Sequence, residues 1–220
     1  MFRKILAKLK NLTTDQPAFD PATLYDPVAM QTNWTPVKSG GSNFQTHKLV
    51  MIDPNRQEFM ATTGAKLFYI IFILIGAGLL IGFPVAIIIS ANISLELATL
   101  MPAFIGLVFL IAGISLYYFG TSPCVFDKRQ GYFWKGRKSP NEVLNKNKLK
   151  AFADLKKIHA LQIISEYCRS DKNSYYSYEL NLVLRDGKRV NVIDHGNYEK
   201  LIDDARMLAS FLGKPVWDAS

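Results

Sequence analysis

The sequence predicts an α+β membrane protein, in which a hairpin of two transmembrane helices joins a small antiparallel β domain closed by a C-terminal helix. Three observations lead to this reading. Two long stretches, Leu67 to Leu95 and Leu97 to Phe126, contain no charged side chain. The 26 Lys and Arg residues are spread unevenly around them, with none between Lys66 and Lys128. The remaining polar sequence alternates as short strands and ends in one amphipathic helix.

A bilayer core takes about 20 apolar residues in helical form. Within lipid only a helix satisfies the backbone of such runs, and a chain of 220 residues is too short to wrap two of them in protein. Helix one is expected over 67–90 and helix two over 97–119, in a transmembrane unit of residues 64–120. The connection Ala91-Asn92-Ile93-Ser94-Leu95-Glu96 is short, so the helices are antiparallel neighbours. Phe68 and Tyr69 open the first; Tyr117, Tyr118 and Phe119 close the second, as an aromatic belt at one membrane face would. Lys66 precedes the pair, and Lys128, Arg129, Lys135, Arg137 and Lys138 follow it. The positive-inside rule then places both termini in the cytoplasm. The first apolar run begins too late for a cleavable signal peptide. Neither span holds an ionisable side chain of the kind that marks a transport or proton path. Gly78 and Gly82 form a GxxxG step, with Gly76 nearby, a spacing that lets helices approach closely. Its partner is either helix two, with Gly106, Ala112 and Gly113, or a second copy of the chain. Pro84 is expected to kink helix one.

Residues 1–12 read as a basic amphipathic helix, with Phe2, Ile5, Leu6 and Leu9 on one face and Arg3, Lys4, Lys8 and Lys10 on the other, a pattern suited to an anionic membrane surface. Residues 13–44, with Pro17, Pro21, Pro27, Pro36 and Gly40-Gly41, show no periodicity and read as a linker. Residues 45–63 read as a β-hairpin around the turn Asp53-Pro54-Asn55 that runs into helix one. The cytoplasmic domain is expected over 121–220. Strands are expected over 124–127, 132–137, 158–167, 178–185 and 189–194, with a basic connector over 139–157. Asp186-Gly187 is a tight hairpin turn. Asn197 caps a helix over 197–212, which lines up Leu201, Ile202, Ala205, Leu208 and Leu212 before Gly213 ends it. Two strands before the membrane hairpin, five after it and a terminal helix make the recipe of a barrel like the pleckstrin-homology (PH) domain, whose edges need cover and whose helix has one stripe to bury. An α+β layer of the later five strands is the alternative.

Residues 128–157 carry ten cations against two acids, Glu142 and Asp154, a balance equal to the +8 of the whole chain. Next to a transmembrane helix, the patch Lys128, Arg129, Lys135, Arg137, Lys138, Lys146, Lys148, Lys150, Lys156 and Lys157 is expected to meet anionic head groups or a partner protein. Nucleic acid fits less well, because Phe133-Trp134 is the sole aromatic cluster among these cations. His47, His159, His195, Cys124, Cys168 and Asp194 lack the close pairing of zinc ligands, so no metal and no cofactor are expected. No phosphate-binding or nucleophile motif is present. A binding or scaffold role follows, rather than an enzyme. The alternatives are an enzyme with a site near Asp194, His195 and His47, or a small subunit of a membrane complex packed through Gly78 and Gly82. The enzyme reading requires those three side chains to converge.

The stretches Asn43 to Phe59, Tyr178 to Gly196 and Asp203 to Asp218 resemble a group of bacterial membrane proteins in which two helices accompany a small PH-like domain. The resemblance implies a bacterial inner-membrane location and this fold, but no reaction and no catalytic residues.

Overall fold

The computed structural model describes residues 19–90, 97–143, 149, 151–169 and 174–220, with the backbone alone for 97–99. The expected helix over 1–12, the connection 91–96, the turn at Asp171, and Lys146, Lys148 and Lys150 lie outside these residues. The protein is mixed α and β, with two long apolar helices and two β-sheets whose strands are antiparallel but for one.

The first sheet is a meander interrupted by the helices. Strands β1 (His47–Asp53) and β2 (Arg56–Ala61) form a hairpin whose turn is tied by Asn55 N–H donating to Asp53 Oδ1 at 2.8 Å. Thr62 ends β2 and caps the first long helix, α2, which covers Thr63–Ile89. Its hydroxyl accepts from Ala65 N–H and donates to the Gln45 carbonyl at 2.9 Å, fixing the exit from the sheet. The second long helix, α3 (Leu97–Gly120), returns to β3 (Cys124–Asp127), which pairs directly with β2 at Phe59↔Cys124 and Glu58↔Val125. The hairpin 47–61 therefore completes the β domain, and the helix pair is an insertion between two neighbouring strands. Strands β4 (Tyr132–Lys135) and β5 (Phe152–Asp154) finish this sheet.

The helices cross along a glycine seam that uses Gly76, Gly106 and Gly113 of the expected small residues, but not Gly78 or Gly82. A Cβ on Gly76 would run into the Leu110 backbone, and one on Gly106 would lie 2.5 Å from Leu80 N. One on Gly113 would lie 2.8 Å from Ile73 N. Phe72 and Phe109 stack nearby at 5.9 Å. Among the described residues, and apart from their own helix, an added Cβ on Gly78 or Gly82 instead meets no atom within 4 Å. They bound a π-helical turn, Gly78–Gly82, in which Phe83 N–H donates to the Gly78 carbonyl five residues back. Pro84 has no N–H and its ring crowds the preceding turn; the wider π turn takes up that strain. Replacing Gly76 with Leu should cost about 3 kcal/mol of helix-pair stability, because the side chain meets backbone that cannot step aside. The same change at Gly78 should cost far less. Unfolding of the detergent-solubilised variants in denaturant measures the difference, and equal losses would place the seam elsewhere.

The second sheet has the order β8-β7-β6-β9, from β6 (Ile158–Arg169), β7 (Ser174–Leu184), β8 (Arg189–His195) and β9 (Val216–Ala219). Seven strands were expected and nine are present among the described residues. The additional β5 and β9 have only three and four residues and are defined by remote partners. β9 runs parallel to β6 and covers its free edge. Helix α4 (Tyr198–Leu212) follows β8, with Asn197 Oδ1 accepting from Lys200 N–H and Gly213 left-handed at φ +64. One core joins both sheets to α4: Phe59, Phe126 and Phe133 from the first sheet, Ile163 and Leu180 from the second, Leu201 and Leu208 from the helix.

The expected linker is, from Phe19 onward, a packed strap. Asp26 caps a short helix, α1 (Pro27–Gln31), and Ala29 is fully buried beside Trp217. Trp34 lies 5.9 Å from Trp217, and Asp26 Oδ2 meets His159 Nε2 at 2.7 Å. Gln162, Glu179 and Asn181 share one side of the second sheet. That side faces the strap, and all three are buried. Gln162 Nε2 donates to the Asn33 carbonyl and Arg189 Nη1 to the Thr35 carbonyl. Gln162, Glu179 and Arg189 thus satisfy groups of an extended backbone, which needs no periodicity of its own.

Candidate binding site at the helix–domain junction

Helix α3 ends at Gly120 and β3 starts four residues later, so Cys124 and its register partner Lys135 lie at the helix-proximal end of the first sheet. Here the end of α3, the loop after β4, the middle of β8 and the strap enclose a cavity of about 510 Å³. Its cations are Lys38, Lys135, Arg137 and Lys138, and its carboxylate is Asp194. Tyr118, Val143, Leu149 and Ile193 give it an apolar side.

Lys135 is the best-anchored cation. Its Nζ donates to Asn191 Oδ1 at 2.8 Å, Asn191 Nδ2 donates to Glu179 Oε1 at 3.0 Å, and Val37 N–H donates to Glu179 Oε2 at 2.9 Å. Asn191 therefore relays between a lysine and a buried carboxylate, and the relay holds the strap beside Lys38. Burial moves the Lys135 ammonium below the usual lysine range. Arg137 has a different task. Its guanidinium donates to the Tyr118 carbonyl at 2.8 Å, to Ser122 Oγ at 2.9 Å and to Thr121 Oγ1 at 2.7 Å, and lies 4.7 Å over the Tyr118 ring. It caps the C-terminal carbonyls of α3 and complements the negative end of that helix.

The remaining side chains are poorly suited to covalent chemistry. Cys124 Sγ donates to the Val192 carbonyl at 3.3 Å, and burial pushes its thiol up to about 11, so the thiolate nucleophile is not populated. Burial, then the Lys135 charge, lowers His47 to about 4. Burial, then His47, lowers His195 to about 4. Both imidazoles are neutral at pH 7. His195 is fully buried, with Nδ1 accepting from Asn197 N–H and Nε2 without a partner among the described residues. His47 and Asp194 line the cavity, whereas His195 does not. The other metal-ligand types are dispersed: His159 is held by Asp26, and Cys168 lies on β6 toward the β6–β7 hairpin. Among the described residues no group of three or more His, Cys, Asp or Glu is placed to hold a metal ion.

Among the described residues, the expected basic patch divides between two ends of the domain. Lys135, Arg137 and Lys138 gather at the junction. Lys128 and Arg129 occupy the β3–β4 turn at the opposite end, with Arg129 paired to Asp53 at 3.1 Å. Leu155 N–H donates to the Gly131 carbonyl, which brings Lys156 and Lys157 to that far end as well. Sequence reasoning missed Lys38, Asn191 and Glu179. Lys38 sits in a Pro- and Gly-rich stretch, and the hydrogen bond from its N–H to Glu179 joins residues 141 positions apart in sequence. Comparison of the chain with family models, with curated proteins and with solved structures finds no match.

Proposed function

We propose that the chain is a two-span protein of the bacterial inner membrane, with both termini cytoplasmic, whose PH-like domain is a binding module for anionic lipid at the membrane face. The junction cavity carries this reading: four cations and one carboxylate stand beside an apolar wall where α3 leaves its apolar stretch. An anionic head group attached to acyl carbon matches that combination. The helices support the anchor. Only 6% and 11% of their most apolar windows are buried in the protein, whereas a core helix of a water-soluble protein would be covered. Insertion between β2 and β3 brings both helices back to one end of the domain, the end where Lys66, Lys135, Arg137 and Lys138 lie, in keeping with the positive-inside rule. The roles of the cavity residues are separate: Lys38 and Lys138 attract the anion, Lys135 anchors it, and Arg137 holds the helix end in place.

Full-length protein in dodecyl maltoside, equilibrated with equal phosphatidylglycerol and phosphatidylcholine, should retain the anionic lipid preferentially in native mass spectrometry. Lys38→Gln with Lys135→Gln should cut that preference about tenfold or more, at roughly 1 kcal/mol per cation. Equal retention of the two lipids by the wild type would end the lipid reading. A reporter fused after Ser220 and active only outside the cytoplasm would reverse the orientation.

A further inference from the structure

The cations at the far end of the domain form a second, separate surface. Three residues of β3 set it about 10 Å from the junction, and it faces away from the helix ends. Lys128, Lys156, Arg185 and Lys214 rim a groove of about 460 Å³ floored by Leu155 and Leu212. Four chain segments converge to build it. The β3–β4 turn supplies Lys128, and the link after β5 supplies Leu155 and Lys156. The β7–β8 turn supplies Arg185, whose N–H donates to the Lys157 carbonyl at 2.9 Å. The end of α4 supplies Leu212 and Lys214.

None of the four cations makes an ion pair among the described residues. The acids at this end are already engaged. Asp53 pairs with Arg129, Asp186 with Lys188, and Asp127 lies 3.8 Å from Arg56. Asp154 accepts from Lys156 N–H. The C-terminal dipole of α4 favours Lys128 and Lys214 beside it, but it gives no reason for Lys156 and Arg185 to point at the same groove.

We propose that this groove is the docking surface for an acidic segment of a partner protein that carries aliphatic anchors. Charge complementarity sets the sign of the partner: four unpaired cations with no carboxylate in the lining. The floor sets its kind. Leu155 and Leu212 offer an aliphatic seat, no aromatic ring lines the groove among the described residues, and Phe211 next to Leu212 is covered by Lys128 Nζ at 4.3 Å. Stacking of nucleic-acid bases therefore has no free platform. The surface does not depend on the junction site, and it operates whichever lipid that site holds.

The test uses full-length protein in dodecyl maltoside, free of added lipid, and a fluorescein-labelled dodecapeptide of Asp, Glu and Leu followed by fluorescence anisotropy. Wild type should bind it at low salt, and the triple variant Lys156→Glu, Arg185→Glu, Lys214→Glu should bind at least about tenfold more weakly. Each single Gln variant should lose several-fold, which keeps the test valid if the triple variant melts early. A peptide without Leu should bind several-fold more weakly than the parent. The proposal is overturned by undetectable peptide binding to wild type, by variants that bind as wild type does, or by equal affinity for the Leu-free peptide. Tighter binding of a twelve-residue oligothymidylate than of the peptide overturns it too, in favour of nucleic acid.

Discussion

Replacing Glu179 with Ala should destabilise the β domain by about 3 to 5 kcal/mol, the usual cost of removing one partner from a buried charged network. The side chain is 3% exposed and sits where three parts of the protein meet. It accepts from Val37 N–H of the strap at 2.9 Å and from Asn191 Nδ2 of β8 at 3.0 Å. Asn191 in turn accepts from Lys135 Nζ. Without the carboxylate, the Val37 N–H of the strap loses its tie to the sheet, the buried Asn191 amide loses its acceptor at about 1 to 3 kcal/mol, and Lys135 loses its relayed counter-charge. Domain stability overall is only about 5 to 15 kcal/mol, so the variant should melt far below wild type. Gln at this position should cost less, because one oxygen still accepts while the new NH2 opposes a donor. The three tryptophans, Trp34, Trp134 and Trp217, all lie in the domain and strap, so their fluorescence follows this unfolding without a signal from the long helices. A second readout isolates the strap: trypsin should cut after Lys38 in the Ala variant at temperatures where wild type is protected. Unchanged melting together with unchanged protection would show that the strap is held by other contacts alone.

What could be read in the sequence follows a physical division. Apolar length, caps and hairpin turns are local, and they mark α2, α3, α4 and the β1–β2 and β7–β8 hairpins without reference to the rest of the chain. Asn197 and Gly213 bracket α4 because cap chemistry acts within one turn. The strap is legible only in three dimensions. Its backbone groups bond to Gln162, Glu179 and Arg189, and nothing in its own spacing reveals those partners. Strands β5 and β9 are too short to alternate visibly and exist because β4 and β6 present open edges. The excess charge of residues 128–157 was visible as a sum, but the β3–β4 register divides it into two surfaces with different tasks. The glycine motif is a similar case. Gly78 and Gly82 have the right spacing, yet the π turn before Pro84 turns them away, and the close approach falls to Gly76 and Gly106.

Acidification from pH 7.5 to pH 5 should lower the melting temperature of the domain substantially, through His47 and His195. Both are neutral when folded, held at about 4 by burial and, for His47, by the Lys135 charge. In the unfolded chain each titrates near 6.5. Between these values the unfolded state binds more protons, so stability falls as pH falls. The loss begins below about 6.5 and is complete below about 4. At pH 5 it amounts to about 2 kcal/mol for each histidine, and the two charges would also repel each other. Asp204 works in the opposite sense. Burial, set against a hydrogen bond from Leu49 N–H at 3.1 Å, raises its carboxyl to about 6, so the folded state takes up a proton as pH drops from about 6 toward 4. It therefore offsets part of the histidine loss across that same window. Asp203, Lys200 and Lys48 are the charged neighbours that tune it. Asp204→Asn keeps an acceptor for Leu49 and removes the titration, so its acid limb should be steeper than wild type. His195→Gln should flatten the limb while lowering stability at pH 7.5, because Gln fills the imidazole site imperfectly. Tryptophan-fluorescence melts of the three proteins from pH 7.5 to 4.5 distinguish these effects. A wild-type melting temperature that stays level over that range would mean that the two imidazoles are already solvated, and that this buried corner next to the junction cavity is open to water.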